Sequence, residues 1–151
     1  MLIIGVGNEF RHDDAIGLIA ARQLRERGVP TEEHEGDLAT LIDRWQQADG
    51  LIVIDAVRSG ASPGIVHHLD VSASSFNREL FRSSTHLLGL ADAIELSRTL
   101  NTLPARADVF CVEVQDVSAG VGLSAAVERA LTPLIEDVLA CLKRSPPASD
   151  Q

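Results

Sequence analysis

Two stretches of this chain, Leu2-Ile3-Ile4-Gly5-Val6 and Leu51-Ile52-Val53-Ile54, contain no polar side chain at all. A strand with one face in water alternates apolar and polar residues, whereas a strand buried on both faces reads as a continuous apolar run. Both stretches therefore belong in the middle of a sheet covered on its two sides. Helical spacing fills the gaps between them. Residues 14–27 carry a stripe of Ile16, Ile19, Ala20 and Leu24, with Arg22, Gln23 and Arg25 facing solvent and Gly28 as the C-terminal stop. Residues 38–47 place Leu38, Leu41, Ile42 and Trp45 on one side, and residues 85–100 and 123–142 read as two more helices. Residues 30–35 suit a short polar edge strand, and 109–114 a last buried one. After the turn-rich Ser59-Gly60-Ala61-Ser62-Pro63-Gly64, residues 65–69 suit a strand returning in the opposite direction. Apolar strands alternating with amphipathic helices predict an α/β domain with a parallel or mostly parallel sheet.

A length of 151 residues favours one domain, expected over 1–142, with 143–151 as a disordered tail around Pro146-Pro147. Residues 72–84 are polar and irregular, and no internal repeat is visible. With four Phe, one Trp and no Tyr, the core must be aliphatic. A net charge of −9 repels phosphate backbones and anionic lipid, which argues against nucleic acid and membrane surfaces as partners. Cys111 and Cys141 are 30 positions apart, form no CxxC pair and read as buried, unreactive thiols in a reducing compartment. The start of the chain has no basic segment of the signal-peptide kind, and no apolar run approaches a membrane span of about 18 residues. A soluble, cytoplasmic protein is expected.

In open α/β sheets, ligands bind beyond the carboxyl ends of the strands. Asp14 follows the first strand and Asp55 closes another, so both open onto one crevice if those strands are neighbours. An aspartate straight after four aliphatic residues sits at the rim of a dry core and needs a cation, donors or a metal. His86, after Ser83-Ser84-Thr85, falls in the first turn of a helix, where the dipole keeps an imidazole neutral and able to bind metal. Two carboxylates and one imidazole make an open site for a borderline divalent ion. Asp13 reads more simply as a helix N-cap or first-turn residue. Gly5-Val6-Gly7-Asn8 resembles the start of a dinucleotide fingerprint, but Phe10 stands where the third small residue belongs and acidic residues follow. His67-His68 in a strand point to opposite faces and cannot chelate together. With His12 and His34, they read as surface or loop histidines. No GxSxG elbow and no HExxH helix occurs.

Taken in order, the strand and GxGN loop, Asp13-Asp14-Ala15-Ile16-Gly17, Val53-Ile54-Asp55-Ala56, Ser84-Thr85-His86 and Gly122-Leu123-Ser124 resemble the hydrogenase maturation proteases. These are the endopeptidases that trim the large subunit of nickel–iron hydrogenases. The resemblance covers about residues 1 to 140. It implies a three-layer α/β/α sandwich with a mixed five-stranded sheet of order 2-1-3-5-4, strand 4 antiparallel. It further implies that Asp14, Asp55 and His86 contact the substrate's nickel as a bridging metal, and that they are the catalytic and metal set. Zinc or cadmium can stand in for the nickel in vitro. The partner would be the nickel-loaded large-subunit precursor, and the protease a monomer. Gly5, Gly7 and Asn8 would shape the adjoining loop. Glu35 and Asp37 are general-base candidates by position only; where many relatives carry Asp-Gly-Gly-Thr, this chain has Glu35-Gly36-Asp37-Leu38, which keeps an acid near the crevice but removes a glycine and a threonine hydroxyl. Two other classes stay open: a nickel-insertion checkpoint that binds without cutting, and a nucleotide-binding protein using the GxGN loop.

Overall fold

The two aliphatic runs are neighbours. In the computed structural model, which describes residues 1–35, 37–72 and 85–144, β1 (Leu2–Val6) and β3 (Gly50–Val57) pair in parallel with Ile4 opposite Val53. The short β2 (Glu32–His34) adds in parallel at the outer side of β1. β5 (Arg106–Glu113) lies parallel to β3, and β4 (Val66–Asp70) closes the far edge antiparallel to β5. The order is β2-β1-β3-β5-β4, as the resemblance implies. Every residue of β3 is buried, which is why its sequence could be apolar without alternation.

Helices cover both faces. α1 (Ile16–Glu26) and α4 (Ala125–Lys143) pack Ile16, Leu24, Leu134 and Val138 on Ile3, Ile52, Ile54 and Phe110. α2 (Leu38–Trp45) and α3 (Thr85–Thr99) pack Leu41, Trp45, Leu90 and Ile94 on Ile4, Leu51, Val53 and Val109. Trp45 Nε1 donates to Ser97 Oγ at 2.8 Å, so the one large polar ring of this layer is satisfied while it locks α2 to α3. Alternation along β1, β3 and β5 divides their side chains between the two layers.

Three boundaries differ from expectation. Residues 12–15 form a 3₁₀ turn ahead of α1 rather than its first turn. β3 runs two residues past Asp55, so this aspartate lies inside the strand, opposite Cys111. β5 begins at Arg106, because Arg106 and Asp108 extend the ladder although their charges conceal it in the sequence. Gly28, at φ +86°, ends α1 as expected. The irregular segment assigned to 72–84 and the tail at 143–151 lie largely outside the described residues. Among the described residues, no helix is long and apolar enough to cross a membrane.

Candidate active site

At the carboxyl ends of β1 and β3 the chain is drawn together by glycine. A Cβ on Gly17 would strike the backbone carbonyls of Val6 and Ile54, and one on Gly7 would strike the carbonyl of Asp14. Close helix–strand approach, the task of the third small residue in a dinucleotide motif, thus falls to Gly17. Asn8 turns the loop: its Oδ1 accepts from Phe10 N at 2.9 Å and its carbonyl accepts from Arg11 N at 3.3 Å. Asn8 N in turn donates to the carbonyl of Asp14 at 3.4 Å. Gly7 and Asn8 therefore set the position of the Asp14 backbone.

Asp14 is 2% exposed and Asp55 is 1% exposed. The 3₁₀ turn that carries Asp14 packs against β3. Asp55 is in phase with Leu51, Val53 and Val57, so its side chain leaves on the α2–α3 face. Its Oδ1 accepts from Ala56 N at 2.7 Å. On the neighbouring strand, burial holds the Cys111 thiol well above its usual range, and the charges of Asp55 and Glu113 push it further the same way. Cys111 is therefore an inert thiol, as its sequence context suggested. His86 is the second residue of α3, in the first helical turn, and α3 packs against β3 on the side to which Asp55 points. The His86 side chain lies outside the described residues.

Asp13 stands in the first turn of the 3₁₀ segment, as expected, but its carboxylate is used elsewhere. It makes no cap to its own turn; instead Oδ2 accepts from Gln115 N and Asp116 N, both at 2.9 Å, and from Ser124 Oγ at 2.8 Å. Oδ1 accepts from Ser124 N at 2.7 Å, at the start of α4. A wholly buried carboxylate with four donors is an anchor that ties the β5–α4 connection to the turn holding Asp14. The backbone repeats the tie, with His12 N donating to Gly120 O and Gly120 N to Phe10 O, each at 2.9 Å.

The histidines also need correction. His34 is 4% exposed, at the end of β2. Arg44 can only donate, so Nδ1 of His34 accepts from it at 3.1 Å and Nε2–H donates to the Asp37 carbonyl at 3.3 Å. His67 bonds Glu113 at 3.0 Å, and Ser59 donates to the same buried carboxylate from backbone and hydroxyl. His68 bonds Asp108 at 2.8 Å. The two rings do point to opposite faces, but neither is a bare surface histidine. Nothing in the sequence marks these partners, which lie 40 to 54 positions away. Of the two base candidates, Asp37 caps α2, accepting from Thr40 N at 2.9 Å and Thr40 Oγ1 at 2.8 Å. Glu35 is exposed.

The family model for hydrogenase maturation proteases of the HycI type matches residues 37–141. The chain belongs to the hydrogenase maturation protease family. It is 31% identical over 154 residues to the hydrogenase 2 maturation protease of Escherichia coli K12, covering 96% of this chain and 92% of that one. The solved hydrogenase-maturating endopeptidase HybD of E. coli superimposes with a TM-score of 0.77 at 29% identity, covering 95% of this chain and 92% of the other. HybD of Thermococcus kodakarensis, at 24% identity and a TM-score of 0.72, covers 93% and 97% and shares the fold. The chain is thus an endopeptidase by family. The nucleotide reading loses its footing in the same geometry: the approach to the N-terminus of α1 holds Asp13 and Asp14, which repel a pyrophosphate.

Proposed function

We propose that this protease removes the C-terminal extension of a nickel-loaded hydrogenase large-subunit precursor and holds the substrate's nickel with Asp14, Asp55 and His86. The observation that carries the reading is the burial of two carboxylates where the neighbouring strands β1 and β3 end, in a chain of this family. Carboxylates in a dry crevice favour a cation strongly, because little water competes for them. The His86 imidazole would complete an open three-ligand set, which would leave coordination positions for groups of the precursor. The nickel would arrive with the substrate, so binding reports whether the precursor has been loaded. Among the residues of this chain, Asp14 and Asp55 would supply charge, His86 would supply a ring nitrogen, and Asp13 keeps the turn that carries Asp14 fixed.

The precursor would also meet the loops around the crevice. Phe10 is 61% exposed and Val121 is 74% exposed, and the hydrogen bond from Gly120 N to the Phe10 carbonyl joins the two loops that carry them. Two large apolar groups on a bonded pair of loops suit the chain segment next to the cut.

Intact-mass analysis of nickel-loaded and nickel-free precursor tests the reading, with Asp55→Ala and His86→Ala as controls. Loss of a C-terminal peptide only with nickel, and only with both residues intact, is the expected result. An uncut loaded precursor that still binds the protein would make it a checkpoint module instead. Cleavage that ignores nickel would remove the recognition role.

A further inference from the structure

On the other face of the sheet, toward its opposite end, a second group of metal-capable side chains converges. We infer that His68, Asp108 and Cys141 form a binding site for a borderline divalent cation of the zinc class. A nitrogen of His68, an oxygen of Asp108 and the sulfur of Cys141 lie within 4.8 Å of one another. Tetrahedral zinc bound by N, O and S ligands at about 2.0–2.3 Å asks for ligand separations of roughly 3.3–3.7 Å, so modest side-chain adjustment closes the set. The three come from β4, β5 and α4, and residues on adjacent strands and a packed helix hold such a set better than loops do.

The surroundings have the features of a metal site. Asp108 is 5% exposed and its Oδ2 accepts no hydrogen bond; its nearest cation is Arg106, at 3.5 Å. Asp70 stands directly opposite Asp108 in the β4–β5 ladder, and like charges in that relation destabilise a sheet. Asp70 and Asp108 set two negative charges against the single positive charge of Arg106. A divalent ion with loss of the thiol proton brings the group to neutrality. Outer support is present as well. Phe110 stacks on the His68 ring with centroids 4.2 Å apart and 9° between planes. Arg106 reaches the Cys141 carbonyl at 3.2 Å and its sulfur at 3.7 Å, where it can donate to a metal-bound thiolate. His68 is the partly exposed member and provides the entry path.

Binding breaks the Cys141 S–H bond, forms a metal–sulfur bond and releases the proton to water, with no change of oxidation state. His68 Nε2 must give up its hydrogen bond to Asp108 and bind as the Nδ1–H tautomer. In the absence of metal, burial first and then the charge of Asp108 raise the Cys141 pKa, so the thiol is protonated and metal affinity rises with pH.

Cobalt(II) is the probe, because thiolate–cobalt bonds absorb in the near ultraviolet and carboxylate–cobalt bonds do not. Titration of the whole chain should produce this charge-transfer absorbance, and added zinc should remove it. Cys141→Ala should abolish the band, and His68→Ala should weaken cobalt binding at least about tenfold. Asp55→Ala should leave it intact. Processing of precursor by His68→Ala should match the parent, which separates this site from the one at Asp14 and Asp55. Absence of the band at millimolar cobalt, its survival in Cys141→Ala, or its loss in Asp55→Ala overturns the inference. Should Cys141→Ala misfold by circular dichroism, the partly exposed His68 decides: unchanged affinity in His68→Ala overturns it equally.

Discussion

At the end of the sheet where β1 and β3 finish, Asp13 takes three of its four hydrogen bonds from backbone N–H groups. Where β5 begins, Asp108 is held by two side chains, His68 and Arg106. Backbone donors are fixed once the loops are fixed, so the first arrangement is rigid and holds the turn before α1 in one place. Side-chain donors can rotate away, so the second can regroup around a different partner. The first suits a site that must be ready before a protein substrate arrives, the second a site that closes on a small ion.

Gly17→Ala should break the first end most severely. Its Cβ would meet two backbone carbonyls, which cannot move aside as a flexible side chain can. A loss of about 3 kcal/mol or more in urea unfolding is expected, together with processing activity. Gly89→Ala is the matched control, because a Cβ there meets nothing within 4 Å in the middle of α3. It should gain up to about 1 kcal/mol. Equal losses at both glycines would mean that close approach is not what the first end depends on.

Next in size is the contrast between adjacent aspartates. Asp13→Asn puts an amide where four donors converge, and should cost about 2–3 kcal/mol by the same measurement. Asp14→Asn should cost less in stability but remove nickel-dependent processing. If Asp13→Asn keeps full stability, the carboxylate is not an anchor for this turn.

That contrast also shows what the sequence could reveal. The sheet was legible because β1 and the Leu51–Ile54 part of β3 carry no polar side chain, and Asp14 and Asp55 stand out after those runs. The order of the strands came from a resemblance, since periodicity does not specify which strands pair. Asp13 looked like a local cap because its partners, 102 to 111 residues away, leave no local trace. The start of β5 was missed for a related reason. Arg106 and Asp108 suggest a loop, and only pairing with Gly50 and Ile52 of β3, with Asp70 beside Asp108 and cover from α4, turns them into strand residues. Buried polar groups whose partners are distant are invisible to any reading based on neighbours.

At the second end the effect should be smaller. Asp108→Asn keeps an acceptor for His68 and leaves Arg106 able to turn to Asp70, so a loss of about 1 kcal/mol is expected in metal-free buffer. A loss as large as that of Asp13→Asn would show that the two ends are equally rigid.

The smallest effect compares one tripeptide at both ends. Asp70-Val71-Ser72 and Asp116-Val117-Ser118 make the same turn, the carboxylate accepting from the backbone and hydroxyl of the serine two places on. That serine hydrogen bond is the main reason both carboxyls titrate below the ordinary 3.8. A group whose pKa is lowered by folding stabilises the fold above its unfolded value, and this is lost as pH falls through the lower folded value. The window is therefore below 3.8 in both turns. Carbon-detected NMR titration should place both aspartates there, with Ser72→Ala and Ser118→Ala each raising only its own partner. The lesser influences separate the two ends. Asp70 also feels His68 and Arg106, whereas Asp116 feels His12 and Arg58. His68→Gln should therefore raise Asp70 slightly and leave Asp116 alone. A shift of both would mean that charge at one end of the sheet is felt at the other, against screening over such a distance in ordinary salt.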